Sequence, residues 1–302
     1  MNAVMHFLQI TVGPLILVFT VSSLAAMGLQ VRMPEVRVAM RNKKSLALIF
    51  VWGWVVGPAF GYLITRILPL AEPYKVVILL GSLAPCAPFL AQMVGKARGD
   101  MGFAGALIPL VAVGTVALMP VIGPLLVKGV TISAWALAKP LLLTILLPLV
   151  IGAAVRHYAD TAATKMYPSV KKFALIATLL TTAWCLVIYG RSMLNTAGEF
   201  AFLSLTLFMV GMALMTYNLS LGLKQNQRSI MALGLSTLNG AALFAATSTI
   251  PNADPRIGAM TIMWILVSIP LAALGTRIFA KQAGKAGAGG EAVSNTRVAA
   301  VK

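Results

Sequence analysis

The sequence is built from apolar runs that are each about one bilayer long, and this feature narrows the folds open to it more than any other. Nine such runs follow one another, at approximately Leu8–Leu29, Ser45–Leu68, Tyr74–Met93, Met101–Val127, Thr131–Val155, Val170–Tyr189, Gly198–Leu223, Ser229–Ile250 and Ile257–Ala280. A hydrocarbon core about 30 Å thick takes roughly 20 helical residues to cross. A backbone in lipid must also satisfy its own N–H and C=O groups. The pattern therefore predicts an all-α polytopic membrane protein with nine transmembrane helices. The first run has no basic n-region and no small-x-small site after it, so it reads as a span and not as a cleavable leader. With 59% hydrophobic and 10% charged residues, no stretch reads as a soluble nucleotide-binding domain of the kind an ATP-driven pump needs. From Gln282 the composition turns to Gly, Ala and small polar residues, so 282–302 is expected to form a disordered cytoplasmic tail after a transporter domain at 1–281.

The net charge of +17 would suit a nucleic-acid binder, but the basic residues lie between apolar runs and not on one solvated face, so no nucleic-acid partner is expected. Of the 24 Lys and Arg, 18 fall in the odd-numbered connections and the tail, among them Arg32, Arg37, Arg41, Lys96, Arg98, Arg156, Lys165, Lys224 and Arg277. Basic residues flanking short loops are retained in the cytoplasm. This places the N-terminus outside and the C-terminus in the cytoplasm of a multi-pass protein, expected in a cell's inner (plasma) membrane with the lipid bilayer as its first partner. The two cysteines, Cys86 and Cys185, make neither a disulfide framework nor a four-ligand zinc site. No phosphate loop, carboxylate pair or Ser/His/Asp set supports an enzyme, and no cofactor is implied.

Two runs are interrupted. In the third, Pro85 and Pro88 remove backbone donors and free carbonyls near its middle. In the eighth, Ser236, Thr237, Asn239 and Gly240 gather short polar side chains at similar depth. Taken singly, each is explained by a kink or a small-residue packing face. Together they lie five runs apart, an odd offset that inverts one relative to the other, as in an inverted repeat with two crossing discontinuous helices. Interrupted helices in matching positions mark a transporter's midplane site. The residues expected to bind substrate there are Pro85, Cys86, Pro88, Gln92, Ser236, Thr237, Asn239 and Gly240. Half-helix N-termini near Cys86 and Asn239 would offer positive dipole ends to an anion.

Several motifs in order resemble those of the bile acid:sodium symporter family. They are Ala26-Met27-Gly28-Leu29, then Trp52-Gly53-Trp54 through Gly57-Pro58-Ala59, then Leu79-Leu80-Gly81 to Pro85, and Ala97-Arg98-Gly99-Asp100. The resemblance implies a panel domain (helices near 8–29, 131–155 and 170–189) and a core domain (near 45–127 and 198–280), with substrate between them and sodium behind the crossing. It implies a secondary, symporter-like carrier of a small or amphipathic organic anion working by alternating access.

The family's sodium-site positions fall on Gly53, Leu90, Ala91, Ala104, Ile108, Gly234 and Leu238 in this chain, and of that set only Asn239 is kept. Sodium is a hard cation that needs oxygen ligands. No acidic residue lies mid-span, so no side-chain metal site is expected and coupling stays open between Na⁺, H⁺ and none. The same fold could serve an uncoupled facilitator or, from Ala84-Pro85-Cys86, an arsenite-type exporter. A non-transporting membrane sensor is a further alternative. The sequence leaves the oligomeric state open.

Overall fold

A computed structural model describes residues 3–127, 133–196, 199–220, 222–250 and 253–299. Side chains are described within these ranges except at 3–9, 35, 39–40, 91, 191–196 and 285–299. Thr131 and Gly198, expected starts of two spans, lie outside the described residues.

The described chain is helical, with α1 (Ala3–Gly28), α2 (Met33–Arg41), α3 (Lys43–Val51), α4 (Gly57–Ile67), α5 (Glu72–Ser82), α6 (Leu90–Met93) and α7 (Met101–Leu126) in its first half. The second half holds α8 (Ala134–Leu141), α9 (Leu147–Tyr158), α10 (Asp160–Thr196), α11 (Ala201–Leu219), α12 (Gln225–Ser236), α13 (Gly240–Thr247) and α14 (Pro255–Ala299). Among the described residues, seven continuous stretches are long and apolar enough to cross a membrane: Ile10–Gly28, Lys43–Ile67, Met101–Leu126, Ala134–Tyr158, Asp160–Gly190, Ala201–Leu219 and Pro255–Gly284. The two interrupted runs are the pairs α5/α6 and α12/α13.

Two of the spans are made continuous by the same device. Proline lacks an N–H and its ring collides with the carbonyl four residues back. Ahead of Pro58 the helix widens into a π-turn, Trp52–Val56, and ahead of Pro148 into another, Leu142–Leu146. In each the next amide reaches one residue further back, Gly57 to Trp52 and Leu147 to Leu142. α3 and α4 thereby form one span, as do α8 and α9.

α1 packs along both α9 and α10, while α5, α7, α11, α12 and α13 contact one another around the two breaks. Close approach of α1 to α9 depends on two glycines: a Cβ on Gly152 would sit 2.6 Å from the Ala25 carbonyl oxygen and 2.9 Å from the Gly28 Cα. α10 begins about ten residues before the expected start at Val170, because Asp160 lies in its first turn and the polar Asp160–Lys172 portion continues the helix beyond the apolar run. α14 likewise runs on as helix past Gln282, the start of the tail expected to be disordered.

Candidate functional site

The two breaks meet and complete each other's backbone bonding. Pro85 and Leu238 form an isolated antiparallel bridge. The Cys86 N–H donates to the Thr237 carbonyl at 2.7 Å, and the Asn239 N–H donates to the Ala84 carbonyl at 2.8 Å. The Thr237 hydroxyl accepts from the Ala87 N–H at 3.2 Å and donates to the Leu233 carbonyl at 2.7 Å. The Leu83 carbonyl, released where α5 ends, accepts from the Trp54 indole N–H at 3.3 Å. Asn239 caps α13, its Oδ1 accepting from the Ala242 N–H at 3.2 Å. This is the accounting that buried backbone demands in a membrane: every helix break needs a partner. Cys86 adopts φ 72°, a left-handed conformation disfavoured for a residue with a side chain. The close pairing with Thr237 holds it there.

Of the residues expected at the site, Pro85, Cys86, Thr237 and Asn239 are thus brought together, with Ser236 beside them donating to the Leu233 carbonyl. Thr237, Asn239, Ser236 and Cys86 are all buried. Pro88 is buried in the loop that enters α6, Gln92 is half-buried on α6, and Gly240 opens α13 against the Ile265 side chain.

The positions where the resemblance implies sodium ligands are apolar and closely packed. Leu90, Ala104, Ile108 and Leu238 are all 4% exposed or less, and a Cβ on Gly234 would lie 3.0 Å from Leu107 and 3.3 Å from Leu90. Gly53 faces Leu235 and the Pro85 ring, while the Ala91 side chain lies outside the described residues. The nearby hydroxyl and amide oxygens of Thr237 and Asn239 are already engaged. The side chains of Leu90, Ala104, Ile108 and Leu238 offer no oxygen to a cation. Among the described residues no group of three His, Cys, Asp or Glu side chains is placed to hold a metal.

A cavity of about 460 Å³ opens between the α1/α9/α10 group and the start of α7. Its inner wall is apolar, formed by Val94, Ala104, Gly105, Ile108 and Pro109. Its lining also holds the polar Gln30, Arg32, Arg156, Thr164 and Tyr167, with Met27, Leu29 and Val31 among them. Arg156 is held in place: its Nε lies 3.0 Å from Asp160 Oδ1 and its Nη1 donates to the Thr164 hydroxyl at 2.9 Å, leaving the side chain 13% exposed. The Gln30 amide donates to the Tyr167 hydroxyl within the same lining.

Sequence reasoning assigned Arg32 and Arg156 to orientation and did not place them at a site. One local signal was present, an arginine followed four residues later by Asp160. Three other polar side chains in the spans bond helix carbonyls: Thr182 to Thr178, Thr181 to Leu15 and Asn218 to Leu214.

Among the described residues, seven membrane-length helices and two mutually paired helix breaks are those of a polytopic membrane protein. Residues 14–196 match the model of the Sodium Bile acid symporter family, more than half of the 302 residues, and the chain belongs to that family. Among curated proteins it is similar to a probable sodium/metabolite cotransporter BASS3 of the chloroplast in Oryza sativa subsp. japonica, at 21% identity over 65% of this chain and 46% of the relative. The Arabidopsis thaliana protein of the same description is 22% identical over 57% of this chain and 40% of the relative. The chain spans less than half the length of these relatives.

Proposed function

We propose that this protein is an alternating-access carrier of a small or amphipathic organic anion, with the helix crossing as its midplane pivot. The observation that carries this reading is the reciprocal backbone pairing of Ala84–Ala87 with Thr237–Asn239, alongside a separate cavity lined by apolar residues and by Arg32 and Arg156. In this reading α5/α6 and α12/α13 each cross the bilayer as a broken helix, giving nine crossings in inverted repeats. The group of α1, α8–α10 forms a panel and the remaining helices a core, with the N-terminus outside and the C-terminus in the cytoplasm of the cell's inner membrane. Substrate occupies the cleft between panel and core.

The relatives are described as sodium/metabolite cotransporters, whereas the packed leucines of the crossing speak for a carrier that does not draw on sodium. An uncoupled anion carrier responds to voltage because the anion carries the charge.

The reading is tested in proteoliposomes with a panel of radiolabelled amphipathic carboxylates and sulfonates under imposed Na⁺, H⁺ and voltage gradients. Saturable uptake of at least one anion, unchanged when K⁺ replaces Na⁺ and driven by an inside-positive potential, is expected. Strict sodium dependence would overturn the coupling assignment. Thermal stabilisation by these anions without any flux would make the protein a sensor and not a carrier.

A further inference from the structure

A cavity of about 520 Å³ lies where α11 ends and α12 begins, lined by Tyr217, Leu223, Gln225, Arg228 and, from α14, Gln282. It shares no residue with the helix crossing or with the cavity at Arg156. The Arg228 Nε donates to the Leu223 carbonyl at 3.0 Å, which fixes the direction of the fork and leaves both terminal nitrogens without an acceptor among the described residues. Lys224 lies one turn earlier, and the Lys44 side chain from the start of α3 rests against Gly222, so three cations gather on the connection from α11 to α12. None of them is paired with a carboxylate among the described residues. Asp100, the acid that reaches α12, is already engaged by the Gln227 amide at 3.0 Å and the Phe103 N–H at 2.9 Å. A forked guanidinium with open donors among further cations suits a phosphate.

Gln282 presents the opposite need. Its Oε1 is buried and has no hydrogen-bond partner among the described residues. A buried acceptor left unmade is unfavourable, so the fitting occupant brings a donor as well as an anionic oxygen. The cavity also lies at headgroup depth, because the α11 span ends at Leu219 and the α14 span at Gly284. Leu214 and Leu219 on α11, with Leu274 and Ile278 on α14, are between 46% and 58% exposed and turn carbon outward from the same two helices. Tyr217 stacks on Phe279 with ring centroids 4.9 Å apart, tying α11 to α14 at this level.

We propose that this cavity holds the headgroup of an anionic phospholipid whose phosphodiester carries a free hydroxyl, as in phosphatidylglycerol. The terminal nitrogens of Arg228 take the phosphate, a headgroup hydroxyl donates to Gln282 Oε1, and the acyl chains run along the exposed leucines of α11 and α14. An ammonium headgroup also carries donors, but it meets Lys44, Lys224 and Arg228 as a like charge. The bound lipid bridges α14 to α12, which forms one half of the crossing. Such a lipid is a ligand of the fold and not its cargo.

The test uses the full chain in a non-ionic detergent, titrated with single lipids of matched acyl chains and read by native mass spectrometry as the fraction of protein that retains lipid. Phosphatidylglycerol should bind about tenfold more tightly than phosphatidylcholine. It should also bind several-fold more tightly than phosphatidylethanolamine, and than phosphatidylmethanol, which has the same charge and no headgroup donor. Arg228→Gln should remove the preference over phosphatidylcholine, with Arg228→Lys retaining part of it. Gln282→Leu should keep that preference and erase the one over phosphatidylmethanol, and it remains informative if Arg228→Gln fails to fold.

Equal retention of phosphatidylglycerol and phosphatidylcholine, or a preference that Arg228→Gln leaves intact, would overturn the site. Equal retention of phosphatidylglycerol and phosphatidylmethanol, or a difference that survives Gln282→Leu, would overturn the headgroup assignment. Displacement of the lipid by millimolar sn-glycerol 3-phosphate would make a soluble phosphate, and not a lipid, the occupant.

Discussion

Gly28 of α1 and Gly152 of α9 bring two helix backbones into direct contact, with a Cβ at Gly152 placed 2.9 Å from the Gly28 Cα and 2.6 Å from the Ala25 carbonyl oxygen. Backbone atoms cannot step aside as a flexible side chain can, so a methyl group at either position must push the helices apart. Gly152→Ala is expected to destabilise the protein by about 1–3 kcal/mol, and Gly152→Val by more. Thermal unfolding of the purified protein in detergent checks this, and an unchanged midpoint for both variants would refute the contact.

Thr237 holds the crossing through one hydroxyl that serves two partners. In Thr237→Val the Ala87 N–H loses its acceptor within a buried site, a loss of about 1–3 kcal/mol. Thr237→Ser retains the hydroxyl and should lie close to the parent protein. The comparison of Val with Ser isolates the bond from the change in shape, and equal stability of the two would show that the Ala87 amide finds another acceptor.

Asn239 is the cap of α13, which separates two roles that deletion alone would confuse. Asn239→Ala is expected to cost about 0.5–2 kcal/mol and to reduce uptake, whereas Asn239→Ser retains a capping oxygen. Uptake restored along with stability in Asn239→Ser assigns the residue to architecture. A stable Asn239→Ser protein with uptake still impaired assigns it to substrate contact.

At the start of α14, the Arg256 guanidinium and backbone N–H both donate to the Asp254 carboxylate, at 2.8 and 2.9 Å, and hold its pKa below the ordinary value. A carboxyl whose pKa is lowered on folding contributes stability above its unfolded pKa and loses it as pH falls through the folded one. The contribution is therefore constant from neutral pH down to about pH 4 and disappears at more acid pH. The pair is solvent-exposed, so the effect is small and weakened by salt. Asp254→Asn should flatten the acid limb of the stability curve, measured as unfolding midpoint against pH at low ionic strength.

The sequence carries the spans well because hydrophobic length is a one-dimensional property. Ser45–Leu68 and Met101–Val127 match Lys43–Ile67 and Met101–Leu126 to within two residues at each end. The breaks at Pro85 and at Ser236–Asn239 are equally legible, since each depends on local chemistry. That the Thr237 hydroxyl would answer the Ala87 amide was not legible, because only the tertiary meeting of two segments 150 residues apart creates that bond. The π-turns before Pro58 and Pro148 are not legible, because an inserted residue leaves the apolar pattern almost unchanged. Arg156 illustrates the main loss. A count of basic residues assigns it to the orientation of a loop and cannot tell that its guanidinium turns back toward a cavity, where Asp160 and Thr164 fix it.

The mutual dependence of the two breaks also governs how the protein can be made. When Pro85 has entered the bilayer, the residues that will receive the Cys86 N–H and supply the Asn239 N–H to Ala84 have not yet been synthesised. The first half of the chain must therefore wait at the membrane with open backbone valences, which lipid does not fill. Insertion one helix at a time cannot complete this fold, and a ribosome stalled before Thr237 leaves behind a half-molecule that is hydrophobic enough to remain in the membrane yet unable to close. A separately expressed C-terminal half carrying Thr237–Asn239 is the piece that would rescue it.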